Sequence, residues 1–110
     1  MNSSIVRIGG TLILAGALAL IGSTAAKADD SAALFKGKCA ACHGADGKGE
    51  TSMGKTFKLR DLGSADVQKQ TDAELTTIIT DGKNKMPAYK GKITDDQIKG
   101  LVAYIRTLKK

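Results

Sequence analysis

The chain has 110 residues, 17 basic and 11 acidic side chains, two cysteines, one histidine, one proline and no tryptophan. That length allows one small domain, and four aromatic residues give a core too thin to stand without a staple such as a disulfide, a metal or a cofactor. The basic excess forms no arginine-rich block and carries no interleaved aromatics, which argues against nucleic acid as a partner.

The first predicted element is a leader. "MNSSIVRIGGTLILAGALALIGSTAAKADD" opens with Arg7, runs without charge from Ile8 to Ala26, and ends in Ala26-Lys27-Ala28 before two aspartates. This is the layout of a secretory signal over residues 1–28, cleaved after Ala28. The competing reading is an uncleaved membrane anchor, since nineteen uncharged residues just span a bilayer. Gly9, Gly10, Gly16 and Gly22 dilute that run, and a cleavage-like site ends it. The working domain is then residues 29–110, with 15 basic against 11 acidic side chains and a net charge of +4. Export places it in the periplasm or another extracytoplasmic space, where a cysteine pair forms a disulfide by default.

Asp29, Asp30 and Ser31 supply capping and dipole-favouring groups for a helix through "AALFKGKCAAC", with Leu34 and Phe35 on one side. Gly44, Gly47 and Gly49 break it into a loop. Residues 51–70 are ambiguous, with a short helix over "SADVQKQ" and Ser64 as its cap. Thr71 to Glu74 reads as a capping box opening a helix with Leu75, Ile78 and Ile79 at helical spacing, stopped at Gly82. The loop "KNKMPAYKGKI" follows. Thr94 to Gln97 is a second capping box, and the last helix carries the stripe Ile98, Leu101, Val102, Ile105 and Leu108, flanked by Tyr104. Nothing alternates with period two, so the fold class is all-α: three or four short helices and long loops. Long loops in so short a chain imply something rigid at the centre.

The densest chemistry lies in "KGKCAACHGADGKGE", where Cys39, Cys42 and His43 fall within five positions. A redox Cys-x-x-Cys follows a strand inside a βαβ pattern, and no strand is visible here. An inert disulfide over so small a loop contributes little chain entropy. A closed zinc site needs four ligands, and the chain offers no other cysteine or histidine. Cys-x-x-Cys-His is also the attachment pattern of c-type haem. On a helical turn the three side chains share one face: two thiols for the vinyl groups at one porphyrin edge and an imidazole for the iron. Phe35, four residues earlier, shares that side. The haem supplies the missing apolar bulk, and its thioethers are made outside the cytoplasm, which agrees with the leader.

With "LFKGKCAACHG", "KMPAY" and "LVAYIRTL" in that order, the whole mature chain resembles the class I c-type cytochromes, small single-haem electron carriers. The resemblance implies the cytochrome c fold: terminal helices crossing beside one haem c, with Phe35 and Tyr104 meeting at the crossing. It implies covalent attachment through Cys39 and Cys42 and iron ligation by His43. A second histidine does not exist and Met1 leaves with the leader, so the sixth ligand is sought between the two remaining methionines, Met53 and Met86. Pro87 stiffens the chain beyond Met86 and biases it toward an extended backbone, as suits a loop draped over a haem face. The family's axial methionine stands in such a Met-Pro pair, which carries over to Met86.

Two departures from the family pattern follow. Pro87 is the only proline, so a carbonyl between Gly44 and Lys58 is expected to accept from the His43 ring. Tryptophan is absent, and Arg60 is the candidate for a haem propionate. His–Met ligation raises the potential and leaves no open position for substrate, so the resemblance implies one-electron transfer rather than an enzyme. The expected partners are redox proteins, such as a membrane oxidase or reductase, met by a monomer through Lys83, Lys85, Lys90 and Lys92, with Lys36 and Lys38 nearby. The alternatives are a sensor or peroxidase-like enzyme with a displaceable Met86, or an electron-entry subunit of a larger oxidoreductase.

Overall fold

The computed structural model describes residues 9–10 and 19–110, so residues 1–8 and 11–18 of the predicted leader lie outside the described residues. Among the described residues there are six helices and no strand, only isolated bridges at Lys83–Met86 and Lys90–Ile93. The helices are α1 (Ala19–Lys38), α2 (Ala40–His43), α3 (Ser52–Thr56), α4 (Ala65–Gln68), α5 (Asp72–Asp81) and α6 (Asp95–Thr107). The all-α expectation holds. The helix count exceeds it because one predicted helix divides at Cys39 and because α3 was not foreseen.

The first helix does not begin at Ser31. It is already running at Ala19 and crosses the predicted cleavage boundary. Ser31 lies inside it, and its hydroxyl donates to the Lys27 carbonyl one turn back at 3.0 Å. Inside a continuous helix the backbone amides that follow Ser31 are already served by carbonyls one turn back, so there is no helix start for it to cap. No helix of the described residues is long and apolar enough to cross a membrane.

The capping expectations fare differently at each site. Thr94 and Gln97 form the full reciprocal box, with bonds of 3.1 Å and 2.8 Å. Thr71 accepts from the Glu74 amide at 3.1 Å, but the Glu74 carboxylate takes the Thr71 hydroxyl instead of the Thr71 N–H, so half the box forms. Ser64 stands at the N-cap of α4, yet its hydroxyl is buried without a partner. The predicted cap there is corrected: a four-residue helix held from outside does not need one. Its Gln68 amide donates to the carbonyls of Leu62 at 2.8 Å and Ile105 at 2.9 Å, bolting α4 to α6.

One core joins α1, α4, α5 and α6 through Phe35, Val67, Leu75, Ile79, Ile98, Leu101, Val102 and Ile105. Phe35 and Tyr104 meet where α1 packs on α6, with ring centroids 4.9 Å apart, as the family resemblance implied. Gly100 makes that approach possible, because a Cβ there would run into the Ser31 hydroxyl. A second link went unforeseen. Arg106 binds Asp72 through Nε and Nη2 at 3.0 and 2.8 Å, the Gln68 carbonyl through Nη1 at 2.9 Å, and also the Gln70 carbonyl. A planar guanidinium can serve three such acceptors at once.

Candidate functional site

The break at Cys39 creates the site. Cys39 has φ −114° and ψ −30°, and the Cys42 N–H donates to the Cys39 carbonyl at 3.3 Å. In an unbroken helix it would donate to Lys38. The short α2 then carries Cys42 and His43 before Gly44 ends it at φ 82°. Behind this turn, α3 presses close. The Thr51 hydroxyl donates to the Cys42 carbonyl at 2.6 Å and accepts from the Gly54 amide at 2.9 Å. Gly54 is buried, and a Cβ on it would strike the Gly49 and Cys42 carbonyls. The glycine in the middle of α3 is the residue that lets it approach.

In front of the turn lies a crevice of about 300 Å³, lined by both cysteines, His43, Phe57, Arg60, Met86 and Tyr89 among others. It shares Cys39, His43, Met86 and Tyr89 with an apolar pocket of about 110 Å³ backed by Phe35, Leu75, Ile79 and Ile105 of the core. The crevice and the core-backed pocket therefore lie on two sides of the same residues. Cys39 and Cys42 are free thiols, both partly buried, and are not joined to each other. Burial pushes the Cys39 thiol up, against the opposing charge of Lys38. Burial also pushes the His43 imidazole down, favouring the neutral ring that ligates metals.

The expected acceptor for the His43 ring is absent. Nδ1 is buried without a hydrogen-bond partner. The nearby carbonyls serve their own loop: Gly44 accepts from Gly47 at 3.0 Å, Gly49 donates to the His43 carbonyl at 2.7 Å, and Thr51 accepts from Lys55 at 2.9 Å. The predicted orienting carbonyl between Gly44 and Lys58 is thus corrected. The ring rests instead against Phe35, with centroids 6.5 Å apart.

The two methionines separate cleanly. Met53 is 47 % exposed and lines neither cavity. Met86 lines both and packs against the core. Its loop is shaped by a tight turn in which Lys83 and Met86 exchange backbone bonds of 3.1 and 2.9 Å, with Asn84 at φ 55°. Gly82, at φ 77°, lets this turn fold back on α5, since a Cβ there would meet the Met86 carbonyl at 2.7 Å. Pro87 follows directly, as the sequence reading required. Arg60 lines the open crevice together with Lys38, Lys58, Lys83 and Lys85, and among the described residues no acidic side chain lines it. Lys90 and Lys92 stand off its wall, and the Lys92 ammonium lies 5.9 Å from the centre of the Tyr89 ring.

These features fit a covalent haem. Two free thiols, a neutral imidazole with an orphaned nitrogen and a thioether share one crevice whose deep wall is apolar. Tyr89 is the residue that sequence reasoning missed. Its hydroxyl donates to the Lys38 carbonyl at 3.1 Å, and only its place three positions after Met86 hinted at a role.

Comparison with known proteins points the same way. Residues 26–105 match the family model described as cytochrome C oxidase, cbb3-type, subunit III. The chain is 36% identical over 96 residues to cytochrome c6 of Synechocystis sp., covering 86% of this chain and 78% of that relative. It is 39% identical over 72 residues to cytochrome c6 of Leptolyngbya boryana, covering 66% of this chain and 81% of the relative. Among solved structures it resembles the KustC0563 c-type cytochrome at a TM-score of 0.68 and 32% identity, over 73% of this chain and 98% of that one.

Proposed function

Because the chain belongs to the class I c-type cytochromes, we propose that it carries single electrons between redox proteins, with His43 and Met86 as the axial ligands of one haem c attached through Cys39 and Cys42. The observation that carries the assignment is the crevice itself. It gathers both thiols, the sole histidine and one methionine, and it leaves the other methionine outside.

Each residue has a separate task. Cys39 and Cys42 fix the group at one edge. His43 enters as the neutral ring that burial favours. Met86 is presented by a turn that Gly82 and Pro87 shape, and a thioether ligand raises the potential. Phe35, Leu75 and Ile79 keep the inner wall apolar. The haem supplies a reversible ferric–ferrous couple. His43 and Met86 together would hold the iron and leave no place on it for a substrate, so the reading is a carrier rather than an enzyme.

The docking reading is refined by the crevice. Lys83 and Lys85 stand at its wall with Lys38 and Lys58, whereas Lys90 and Lys92 do not. A cationic rim without acidic members steers an acidic partner surface toward the opening, and such attraction falls steeply with salt. Arg60 lines the same rim, which supports it as the partner of a propionate. The domain is residues 29–110 after removal of a 28-residue leader, working outside the cytoplasm. Removal of that leader takes away Lys27, the acceptor of the Ser31 hydroxyl, and leaves Asp29, Asp30 and Ser31 as the first turn.

The test is the purified exported protein. Its intact mass should equal residues 29–110 plus one haem, and the haem should survive acidified acetone. Extraction of the haem would overturn covalent attachment, and a mass that includes residues 1–28 would favour the anchor. Electron transfer to a candidate acceptor should slow with rising salt, and Lys83→Gln with Lys85→Gln should flatten that slope.

A further inference from the structure

The loop that carries Met86 is held mostly by itself and by α5. Lys83 and Met86 pair with each other, Tyr89 donates its amide to Ile79 at 3.1 Å, and Lys90 donates to Thr80 at 3.1 Å. Among the described residues, one hydrogen bond crosses from this loop to the cysteine-bearing segment: the Tyr89 hydroxyl to the Lys38 carbonyl, at 3.1 Å. Its acceptor belongs to the residue immediately before Cys39. That carbonyl ends α1, and the kink at Cys39 diverts the Cys42 amide that would otherwise have used it. A helix-end carbonyl without an internal partner is a ready acceptor.

Tyr89 makes further contacts at its backbone and ring. Its carbonyl accepts from Lys92 at 2.9 Å and from Ile93 at 3.3 Å. Its ring lines both the crevice and the inner pocket, with the Lys92 ammonium 5.9 Å from its centre. Burial pushes the phenol up, so it remains a donor through the neutral range. A rigid ring thus spans from the ligand loop to the attachment turn.

We propose that Tyr89 is a positioning residue, a latch whose hydroxyl ties the Met86 loop to the carbonyl beside Cys39 and so keeps the Met86 sulfur in the crevice. The inference rests on Met86 being the axial ligand. The same kink that sets Cys42 and His43 in place frees the carbonyl that holds the sixth-ligand loop, so the two sides of the site are coupled through one backbone group. Losing the latch leaves Met86 attached to α5 through Gly82 but lets the loop swing outward at lower cost.

The experiment compares ferric wild type, Tyr89→Phe and Met86→Ala, with imidazole as an external ligand. Phenylalanine keeps the ring in the cavity wall and removes only the hydroxyl. One net hydrogen bond corresponds to about a three- to tenfold change in an equilibrium. Tyr89→Phe should therefore bind imidazole about three- to tenfold more tightly. Its far-red sulfur-to-iron band should persist without imidazole but vanish at lower imidazole concentration, while the denaturant midpoint of the helices moves little. Equal imidazole affinity in wild type and Tyr89→Phe overturns the latch. So does a gain in affinity matched by an equal loss of global stability, which marks the hydroxyl as merely structural. Met86→Ala separates this from the reading beneath it. If the far-red band survives Met86→Ala, the axial assignment has failed and the latch falls with it. If the band is lost there and Tyr89→Phe behaves as wild type, the latch alone has failed.

Discussion

Two methionines and two glycines show how single residues decide the site. Met53 and Met86 have the same chemistry, but only Met86 is walled into the crevice. Met86→Ala should leave the haem attached, abolish the far-red sulfur-to-iron band and lower the potential, while Met53→Ala should change neither. Absorption and potentiometric titration of both variants check this, and the reverse result would reassign the ligand. Gly54 faces the Cys42 and Gly49 carbonyls, and backbone cannot step aside as a side chain does. Gly54→Ala should therefore destabilise the protein by about 1–3 kcal/mol, the usual cost of overpacking. Gly100→Ala meets only a rotatable Ser31 hydroxyl and should cost less. Denaturant unfolding of the pair reads the contrast.

At the scale of elements, the ends of helices and their cross-links carry the argument. The Thr94 box is complete, so Thr94→Ala should cost about 1 kcal/mol. Thr71→Ala removes a similar bond to the Glu74 amide, but that box lacks its reciprocal half, so the loss should be smaller. Arg106 gives a sharper test. Its partner Asp72 is 74% exposed, and such a pair contributes little in water. The Gln68 and Gln70 carbonyls depend on the guanidinium for their bonds across to α6. Arg106→Lys, which keeps the charge and loses the fork, should destabilise by about 1–2 kcal/mol. Asp72→Asn should cost only a fraction of that. Equal effects from the two variants would show that charge, not geometry, joins these elements.

For the whole molecule, the core and the chain terminus set stability. Among the described residues eight apolar side chains are buried, few for a domain of this size, and the apolar pocket beside the crevice is lined by six of them. Cys39→Ala with Cys42→Ala should leave an apo chain largely unfolded by circular dichroism. A well-folded apo domain would contradict a structural role for the haem. The C-terminus is tied down by Lys110, whose ammonium meets Asp61 at 2.7 Å and whose amide donates to Gly63 at 3.2 Å. The Lys110 contact and the Gly63 amide hold Asp61 below the ordinary aspartate value of 3.8. Its contribution is complete above that value and fades as pH falls through the depressed one. The Asp61 contact holds Lys110 above 10.5, so its contribution is complete below that value and fades as pH rises through the raised one. Asp61→Asn should flatten stability against pH at both extremes and leave it level between them. Both groups meet solvent, so added salt should shrink the effect.

The sequence by itself determined the attachment motif, the all-α class, the complete box at Thr94 and the apolar stripe of α6. These rest on spacing along the chain: three- and four-residue periods place side chains on one face whatever surrounds them. Ile98, Leu101, Val102 and Ile105 had to face inward together, and Thr94 finds its partner within one turn. Tertiary structure alone decided the rest, because the remaining bonds join residues far apart in sequence. Ser64 reads as a cap, but Gln68 reaching α6 holds that helix instead. Residues 51–70 read as ambiguous until Gly54 is seen packed against the Cys42 carbonyl. Tyr89 reads as an ordinary aromatic until its hydroxyl meets Lys38, 51 positions earlier. Periodicity fixes which way a side chain points, and only packing fixes what it finds there.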